Sequence, residues 1–178
     1  MSFIVGCLIP GLVCAYVDWK KFIIPDSMVL VMFLAGLGYS ISTGQIKSAV
    51  IGASIGFLIT WICWKKKGLG GGDVKLTTAL GMWFGYNILV VLFIGSLLTT
   101  IAGLVKMALN GKLSKWASTY CRGVYYAVVY GVPGTTTAPQ LPDNFEEIHP
   151  DSVPFGTFLV AGAFIVYLIM LKGGFLLA

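Results

Sequence analysis

Six long apolar runs, separated mostly by short polar connections, dominate this sequence and restrict the folds that it can adopt. The runs cover residues 2–17, 24–42, 46–64, 76–86, 88–109 and 153–171. A membrane-spanning helix needs about 20 predominantly apolar residues, and all but the fourth run approach that length. The fourth run would form only about 16 Å of helix, so it needs its flanks from 73 to 87 to approach the bilayer thickness. We predict an all-α polytopic membrane protein with six transmembrane helices.

Composition supports this fold class and argues against a soluble or nucleic-acid-binding protein. Hydrophobic residues make up 57% of the 178 positions and charged residues 11%, whereas soluble domains average about 45–50% and 25%. The net charge is +5, but the basic residues are scattered among apolar runs and do not form one basic face, so nucleic acid is not an expected partner. Six spans with short connections use most of the chain, which predicts a single integral-membrane domain over residues 1–178.

The basic residues predict the orientation in the membrane, because Lys and Arg in short loops collect on the cytoplasmic side. With six spans, ten of the twelve basic residues fall on one side, and only Lys47 and Lys172 fall on the other. If the fourth run were a re-entrant segment instead, the split would be seven to five. We therefore predict a multi-pass membrane protein with both termini outside.

The long connection at about 110–152 is predicted to be cytoplasmic and to have two parts. Apolar residues recur at helical spacing from Leu113 to Val128, which indicates one helix lying in the membrane interface. The segment 133–154 holds five of the seven prolines and four of the seven acidic residues, as well as His149, the only histidine. A solvated connector and a lid or docking surface for a basic partner both fit this segment.

The three remaining acidic residues are Asp18, Asp26 and Asp73. Asp18 ends the first run and Asp73 opens the fourth, so the topology puts both at the cytoplasmic ends of different helices, where they can meet. An ionisable residue at such a boundary is a candidate functional residue. The alternative is that each caps a helix: Asp73 follows a glycine run, as an N-cap residue often does, and Asp26 opens the second run.

The glycine-rich segment 65–75 is the densest local signal in the chain. It lacks the Gly-Lys-Ser/Thr of a phosphate-binding loop, and Asp73 stands where a dinucleotide-binding motif needs its third glycine. Glycines here remove side-chain bulk and permit positive φ, so that a backbone or a substrate strand can approach the carboxylate. The four cysteines form no Cys-x-x-Cys pair, and no metal or cofactor is expected.

Two carboxylates that face one another from different helices suggest aspartyl-protease chemistry. Such a pair shares one proton, because two like charges a few ångströms apart cannot both form cheaply. The ionised Asp then takes a proton from the attacking water, while the protonated Asp donates to the developing oxyanion. The sequence does not assign these two roles individually.

These residues resemble the type IV prepilin peptidases, which are membrane aspartic proteases. Gly70-Gly71-Gly72-Asp73, extended through Val74-Lys75, matches their Gly-x-Gly-Asp signature, which presenilin-like enzymes share. The segment 18–26 resembles the family's Asp followed by basic residues and Ile-Pro-Asn, with Asp26 in place of Asn. The segment 153–158 resembles its Ile-Pro-Phe-Gly-Pro-Phe, with Thr157 in place of the second Pro.

The resemblance implies an aspartic endopeptidase with Asp18 and Asp73 as its catalytic dyad. Its expected substrates are prepilins or pilin-like pseudopilins, which lose a short basic leader at the cytoplasmic face. Gly70, Gly72, Lys75 and Pro25 are the expected supporting residues, with Lys75 either orienting Asp73 or only anchoring the cytoplasmic side. Larger members also carry an N-terminal domain with paired Cys-x-x-Cys, so no methyltransferase activity is expected of this chain.

Two other classes of protein remain open from the residues alone. A small proton- or cation-coupled transporter can use two membrane carboxylates, and a scaffold subunit would need neither of them. Carboxylates near the bilayer midplane favour transport, whereas carboxylates at the cytoplasmic helix ends favour a protease. The spacing Gly52-x-x-x-Gly56 predicts close helix packing first, and leaves a homo-oligomer as a second interpretation.

Overall fold

The computed structural model describes residues 3–66, 69–111 and 153–172, which are helical apart from short turns. A π-helical segment, Ile4–Leu8, precedes the first α-helix, and a 3-10 turn, Gly85–Asn87, separates the fourth α-helix from the fifth. The α-helices are α1 (Ile9–Lys21), α2 (Asp26–Ser42), α3 (Ile46–Lys65), α4 (Gly71–Phe84), α5 (Ile88–Leu109) and α6 (Phe155–Leu171). The described residues contain no strand, so the all-α prediction is confirmed. The predicted interfacial helix, the acidic segment and His149 lie outside these residues and stay predictions.

By the proximity of Cα atoms, the chain divides into two compact units. The first comprises residues 1–99 and 154–178, and the second comprises residues 100–153. The described part of the second unit is the C-terminal half of α5, the turn that follows it, and Val153. The first unit contains all the other helices and both candidate aspartates.

Helix α4 is the central helix of the first unit and packs against α2, α3 and α6. Its side chains are apolar on nearly every face, and such a helix is buried on nearly every face. The buried residues are Val74, Leu76, Thr77, Ala79, Leu80, Gly81, Met82, Trp83 and Phe84. Its 14 residues form about 21 Å of helix. It begins at Gly71, two residues before the predicted flank at 73, but it ends at Phe84, three residues before the predicted end at 87, because the 3-10 turn Gly85–Asn87 follows.

Small residues allow α3 and α4 to approach closely. A Cβ at Gly52 would collide with the carbonyl oxygen of Gly85, and one at Gly81 would lie 2.6 Å from the Cα of Ala53. A Cβ at Gly56 would lie 3.1 Å from Thr77 Cγ2. The prediction that Gly52 and Gly56 serve helix packing is therefore confirmed, within the chain itself.

The outward faces of the helices are apolar, unlike the surface of most soluble proteins. Two described helical stretches are long and apolar enough to cross a membrane by length and composition: Ile46–Lys65, and Gly71–Leu109, which comprises α4, the 3-10 turn and α5. Helices α2 and α6 are shorter apolar helices of 17 residues each. Exposed large apolar side chains on these elements include Leu30, Leu34, Ile51, Leu58, Ile62, Leu89, Phe93, Leu97 and Leu168.

Contacts between the helices fix their directions. Phe3 packs against Tyr39 and Tyr167, whereas the Thr157 N–H at the start of α6 bonds to Asp18 near the end of α1. Lys75 near the start of α4 pairs with Asp26 at the start of α2. Helices α2, α4 and α6 therefore begin at the end of the bundle where α1 finishes, and this end carries both candidate aspartates.

Candidate active site

Asp18 lies in the C-terminal part of α1 and is buried, with 5% of its surface exposed. Its Oδ2 accepts hydrogen bonds from the backbone N–H of Thr157, at 2.9 Å, and from the Thr157 hydroxyl, at 3.1 Å. The N–H of Gly156 also faces this carboxylate. These residues are in the first turn of α6, where backbone N–H groups have no partner within the helix. The Asp18 carboxylate therefore caps α6 from another helix.

Asp73 is the third residue of α4, which begins at Gly71 and has Gly70 as its N-cap. Its Oδ2 accepts a hydrogen bond from the backbone N–H of Gly70, at 3.2 Å. The interpretation of Asp73 as the N-cap residue is therefore wrong: its side chain reaches back to the N-cap from inside the first turn, as an acidic residue in a capping box does. This bond orients the carboxylate towards the start of the helix.

The structure brings Asp18 and Asp73 together around Gly156. A Cβ built at Gly156 would lie 3.0 Å from Asp18 Oδ2, 3.2 Å from Asp73 Oδ1 and 2.9 Å from Ile24 Cδ1. Two carboxylates from helices far apart in sequence therefore face one small space, which a hydrogen atom at Gly156 leaves open. A negative charge on Asp18 therefore makes ionisation of Asp73 more costly.

An open cleft of about 510 Å³ leads to Asp73 from the surface, and residues 22–26 and 70–73 line it. One wall of the cleft is formed by residues 22–26 and the other by residues 70–73. The first wall starts at Phe22, whose backbone is left-handed with φ of 53°. The N–H of Phe22 bonds to the carbonyl of Asp18 at 2.9 Å, and α1 ends there. An aromatic residue in this conformation is uncommon. The turn directs the chain across the front of Asp73, so the wall and the buried Asp18 are built from one local structure.

The predicted supporting residues Pro25, Gly70 and Gly72 all line this cleft. Pro25 precedes α2 with an extended backbone, and its carbonyl accepts from the first turn of that helix. A Cβ at Gly72 would lie 3.1 Å from Ile24 Cβ, so this glycine permits the close approach of the two walls. The expectation of positive φ is wrong for all three glycines from 70 to 72, since the described glycines with positive φ are Gly44, Gly85 and Gly111.

Lys75 contacts Asp26 and not Asp73. Its Nζ lies 2.7 and 2.8 Å from the two carboxylate oxygens of Asp26, and both side chains are more than half exposed. The suggestion that Lys75 orients the Asp73 carboxylate is therefore wrong. The interpretation of Asp26 as a cap is also wrong, because Pro25 is the N-cap residue of α2 and both carboxylate oxygens of Asp26 pair with Lys75. The pair instead joins the N-terminal ends of α2 and α4 at the surface.

We expect Lys75→Met and Asp26→Asn to have small effects. Exposed ion pairs contribute roughly 0–1 kcal/mol because water screens them, so the thermal unfolding midpoint should change little. A role for Lys75 in orienting Asp73 would instead change the pH dependence of any activity that uses Asp73. Calorimetry in detergent, together with pH profiles of the two variants, separates these outcomes, and a shifted profile in Lys75→Met alone would contradict the assignment.

Gly156 and Thr157 contact the aspartates, but neither was among the residues predicted for the site. The sequence signal for both residues is the segment 153–158, which resembles the family's Ile-Pro-Phe-Gly-Pro-Phe. No grouping of three or more His, Cys, Asp or Glu side chains that suits a metal ion occurs among residues 3–66, 69–111 and 153–172.

Comparison with known proteins finds a matching family and several similar relatives. The model of the type IV leader peptidase family matches residues 4–104, which include Asp18 and Asp73. The chain is 36% identical over 99 residues to a prepilin leader peptidase/N-methyltransferase of Aeromonas salmonicida. This alignment covers 50% of this chain and 34% of the relative. It is 34% identical over 107 residues to a protein of the same name from Neisseria gonorrhoeae, which covers 54% and 37%.

These alignments span about a third of the length of the curated relatives. No solved structure matches the chain. The family match covers more than half of the 178 residues and includes both aspartates, the glycine-rich segment and the two walls of the cleft. The chain therefore belongs to the type IV leader peptidase family.

Proposed function

We propose that the chain is a membrane-embedded aspartic endopeptidase that removes the short basic leader from type IV prepilins or pilin-like proteins. The observation that carries this proposal is the shared space at Gly156, which lies 3.0 Å from an oxygen of Asp18 and 3.2 Å from an oxygen of Asp73 as measured from a built Cβ. The names of the relatives, which are prepilin leader peptidases, supply the substrate class.

The chemistry follows from two carboxyl groups that share one proton. The ionised carboxylate removes a proton from water as the water oxygen attacks the scissile carbonyl carbon. The protonated partner gives its proton to the carbonyl oxygen, and the tetrahedral intermediate then collapses as the C–N bond breaks and the leaving amine takes up a proton. Catalysis of this kind needs only side chains, water and substrate, so the proposed mechanism uses no metal or cofactor.

Access supports an extended peptide as the substrate. The cleft in front of Asp73 is open to the surface and is walled by residues 22–26 and by the glycines from 70 to 72. Glycines present no side chain, so a peptide strand can approach the wall next to Asp73 closely. The leader junction of the substrate would lie along this cleft, with the scissile carbonyl at the space next to Gly156.

The membrane arrangement that we propose has six spans, both termini outside and the dyad at the cytoplasmic face. Support comes from the apolar outward faces of the helices and from the ten-to-two division of basic residues in the sequence. Lys20, Lys21 and Lys65 are in the last turns of α1 and α3, the ends that we assign to the cytoplasm. The lipid bilayer is therefore a proposed partner of the chain. We also propose that the acidic segment 143–151 attracts the basic leader of the substrate.

The transporter alternative has less support. Asp18 and Asp73 lie near the ends of their helices, three residues from the last residue of α1 and two from the first residue of α4. A transporter site near the bilayer midplane would need carboxylates in the middle of the helices. The family match also favours a peptidase.

The proposed function is tested by incubating the purified full chain in detergent with a prepilin and analysing the products by mass spectrometry. We expect one cut, between the basic leader and the hydrophobic helix. A double variant, Asp18→Asn with Asp73→Asn, should form product at least about a thousandfold more slowly. Asp26→Asn is the matched control: Asp26 also lines the cleft, but its carboxylate pairs with Lys75, so the same change removes a carboxylate from the cleft without altering the Asp18 and Asp73 pair.

Two results would contradict the proposal. If the intact chain left several prepilins and pilin-like precursors uncut, the substrate class would be wrong. If the double variant and Asp26→Asn both cut as fast as the intact chain, Asp18 and Asp73 would not be the reacting groups. The expected result is that Asp26→Asn keeps its cleavage rate and the double variant loses it.

A further inference from the structure

The two aspartates are held by unequal sets of hydrogen bonds. Asp18 Oδ2 accepts from both the N–H and the hydroxyl of Thr157, at 2.9 and 3.1 Å. Asp73 Oδ2 accepts one bond, at 3.2 Å, from the N–H of Gly70. Donors of this kind favour the ionised form of a carboxyl group, because a carboxylate oxygen accepts more strongly than a protonated one. The difference therefore favours ionisation of Asp18 over Asp73.

The position of Asp18 at the start of α6 acts in the same direction. Thr157 and Gly156 are in the first turn of that helix, whose dipole stabilises a negative charge at its N-terminus. Burial opposes ionisation of Asp18, which is 5% exposed, since removing a charge from water is costly. Two direct donors, one of them a backbone N–H that cannot turn away, reduce that cost without cancelling it. Asp73 is also placed at a helix start, but with a single longer bond.

The Thr157 hydroxyl has two acceptors within reach, and this makes its side chain sensitive to the charge of Asp18. Its oxygen lies 3.0 Å from the carbonyl oxygen of Ala15 and 3.1 Å from Asp18 Oδ2. A hydroxyl has one hydrogen to donate, and a charged acceptor attracts it more strongly than a neutral carbonyl does. The carbonyl of Ala15 holds the side chain in place between these acceptors.

We propose that Thr157 is a positioning residue that keeps Asp18 as the ionised member of the pair. Asp18 then takes the proton from the attacking water, and Asp73 carries the proton that goes to the substrate oxygen. This assignment rests on the proposed peptidase function and divides the roles within it. The role needs a residue with both a backbone N–H and a side-chain hydroxyl at position 157. Thr157 lies outside residues 4–104, the part of the chain that matches the family model.

Few other titratable groups bear on Asp18. Within the described part of the chain, Asp73 faces it from α4 and Cys14 faces it from the preceding turn of α1. Helix α6 contributes only uncharged groups there, namely Gly156 and Thr157. A change in the pH dependence of a Thr157 variant therefore reports on the Asp18 and Asp73 pair.

The test is the pH profile of kcat/KM for prepilin cleavage in Thr157→Val and Thr157→Ser. The ascending limb of such a profile reports the group that must be ionised, and the descending limb reports the group that must be protonated. Valine keeps the shape and the N–H but removes the hydroxyl, so protonation of Asp18 becomes easier. We expect the ascending limb to move up by about one pH unit, which lowers kcat/KM about tenfold on its acidic side. Serine keeps the hydroxyl and should restore the original profile.

The moving limb distinguishes the assignment from its alternatives. If Asp18 were the protonated member, Thr157→Val would raise the descending limb and leave the ascending limb in place, which would overturn the proposal. Two unchanged limbs would mean that Thr157 only packs, which would overturn it as well. Absence of cleavage by the intact chain would instead refute the peptidase function, so the two failures are distinguishable.

Ser40→Ala is the control for the loss of a buried hydroxyl. Ser40 is 2% exposed, and its hydroxyl donates to the carbonyl of Gly36 in its own helix, at 2.8 Å. It lies two residues from the last residue of α2, whereas the aspartates lie at the end of the bundle where α2 begins. Its unfolding midpoint is expected to fall, with both limbs of its pH profile in place.

Discussion

Asp18→Asn and Asp73→Asn should each reduce prepilin cleavage by at least about a thousandfold, and the double variant should be no worse than either single variant. One carboxyl group acts as base and the other as acid in the same step, and each such proton transfer contributes about 10²–10⁴-fold. An amide can neither take the proton from water nor hold the shared proton. Groups that act as one unit show strongly non-additive losses.

The measurement is the initial rate of cleavage for the two single variants, the double variant and the intact chain at equal concentration. Asparagine has nearly the shape of aspartate, so the fold should survive the substitution. At Asp18 the amide oxygen can still accept from Thr157, whose donors lie 2.9 and 3.1 Å from Oδ2. Losses that multiplied in the double variant would show that the two residues act in separate steps, and would contradict a shared proton.

The meeting of the two aspartates was predictable because carboxylates are so scarce in this chain. Seven acidic residues occur in 178 positions, and helices that alternate in direction bring the end of the first apolar run to the start of the fourth. Apolar runs also predicted where the helices lie, since each of the six overlaps a helix in the structure. These inferences depend on side-chain chemistry and on chain direction, both of which a sequence contains.

The partner of Lys75 was harder to predict, although part of it followed from helix geometry. Lys75 is two residues from Asp73, and residues two apart on a helix point to different faces. Once the helix is known to begin at Gly71, Lys75 cannot share a face with Asp73. Its actual partner, Asp26, comes from α2, 49 residues away in sequence, and only the packing of α2 against α4 brings it near.

The bonds to Asp18 could not be predicted from residue types. One of the donors is a backbone N–H, which nearly every residue has, so no pattern of side chains distinguishes it. The bond exists because the start of α6 packs against the end of α1, and residues 18 and 157 are 139 positions apart. Gly156 was equally hidden, since its role is to have no side chain at the point where two other helices place their carboxylates.

Gly156→Ala should abolish most of the activity while leaving the protein folded. The added methyl group would lie 3.0 Å from Asp18 Oδ2, 3.2 Å from Asp73 Oδ1 and 2.9 Å from Ile24 Cδ1. All three atoms are at the ends of side chains, so they can move away at little cost to the fold. Alanine also has a higher helix propensity than glycine, by about 1 kcal/mol. We therefore expect an unfolding midpoint close to that of the intact chain.

The same movement removes the geometry on which the proposed chemistry depends. A displacement of about 1 Å at reacting groups can cost about a hundredfold in rate, and the methyl group also fills the space where water and the scissile carbonyl would meet. We expect a loss of about that size in kcat, measured beside the unfolding midpoint.

Gly11→Ala is the matched control, because Gly11 lies on α1 against α6 and its added methyl would meet Val160 Cγ1 at an ordinary 3.5 Å. This control should cleave at the rate of the intact chain. Full activity in Gly156→Ala would contradict the assignment of this space to the reacting atoms, because a methyl group would then fill the space without slowing the reaction.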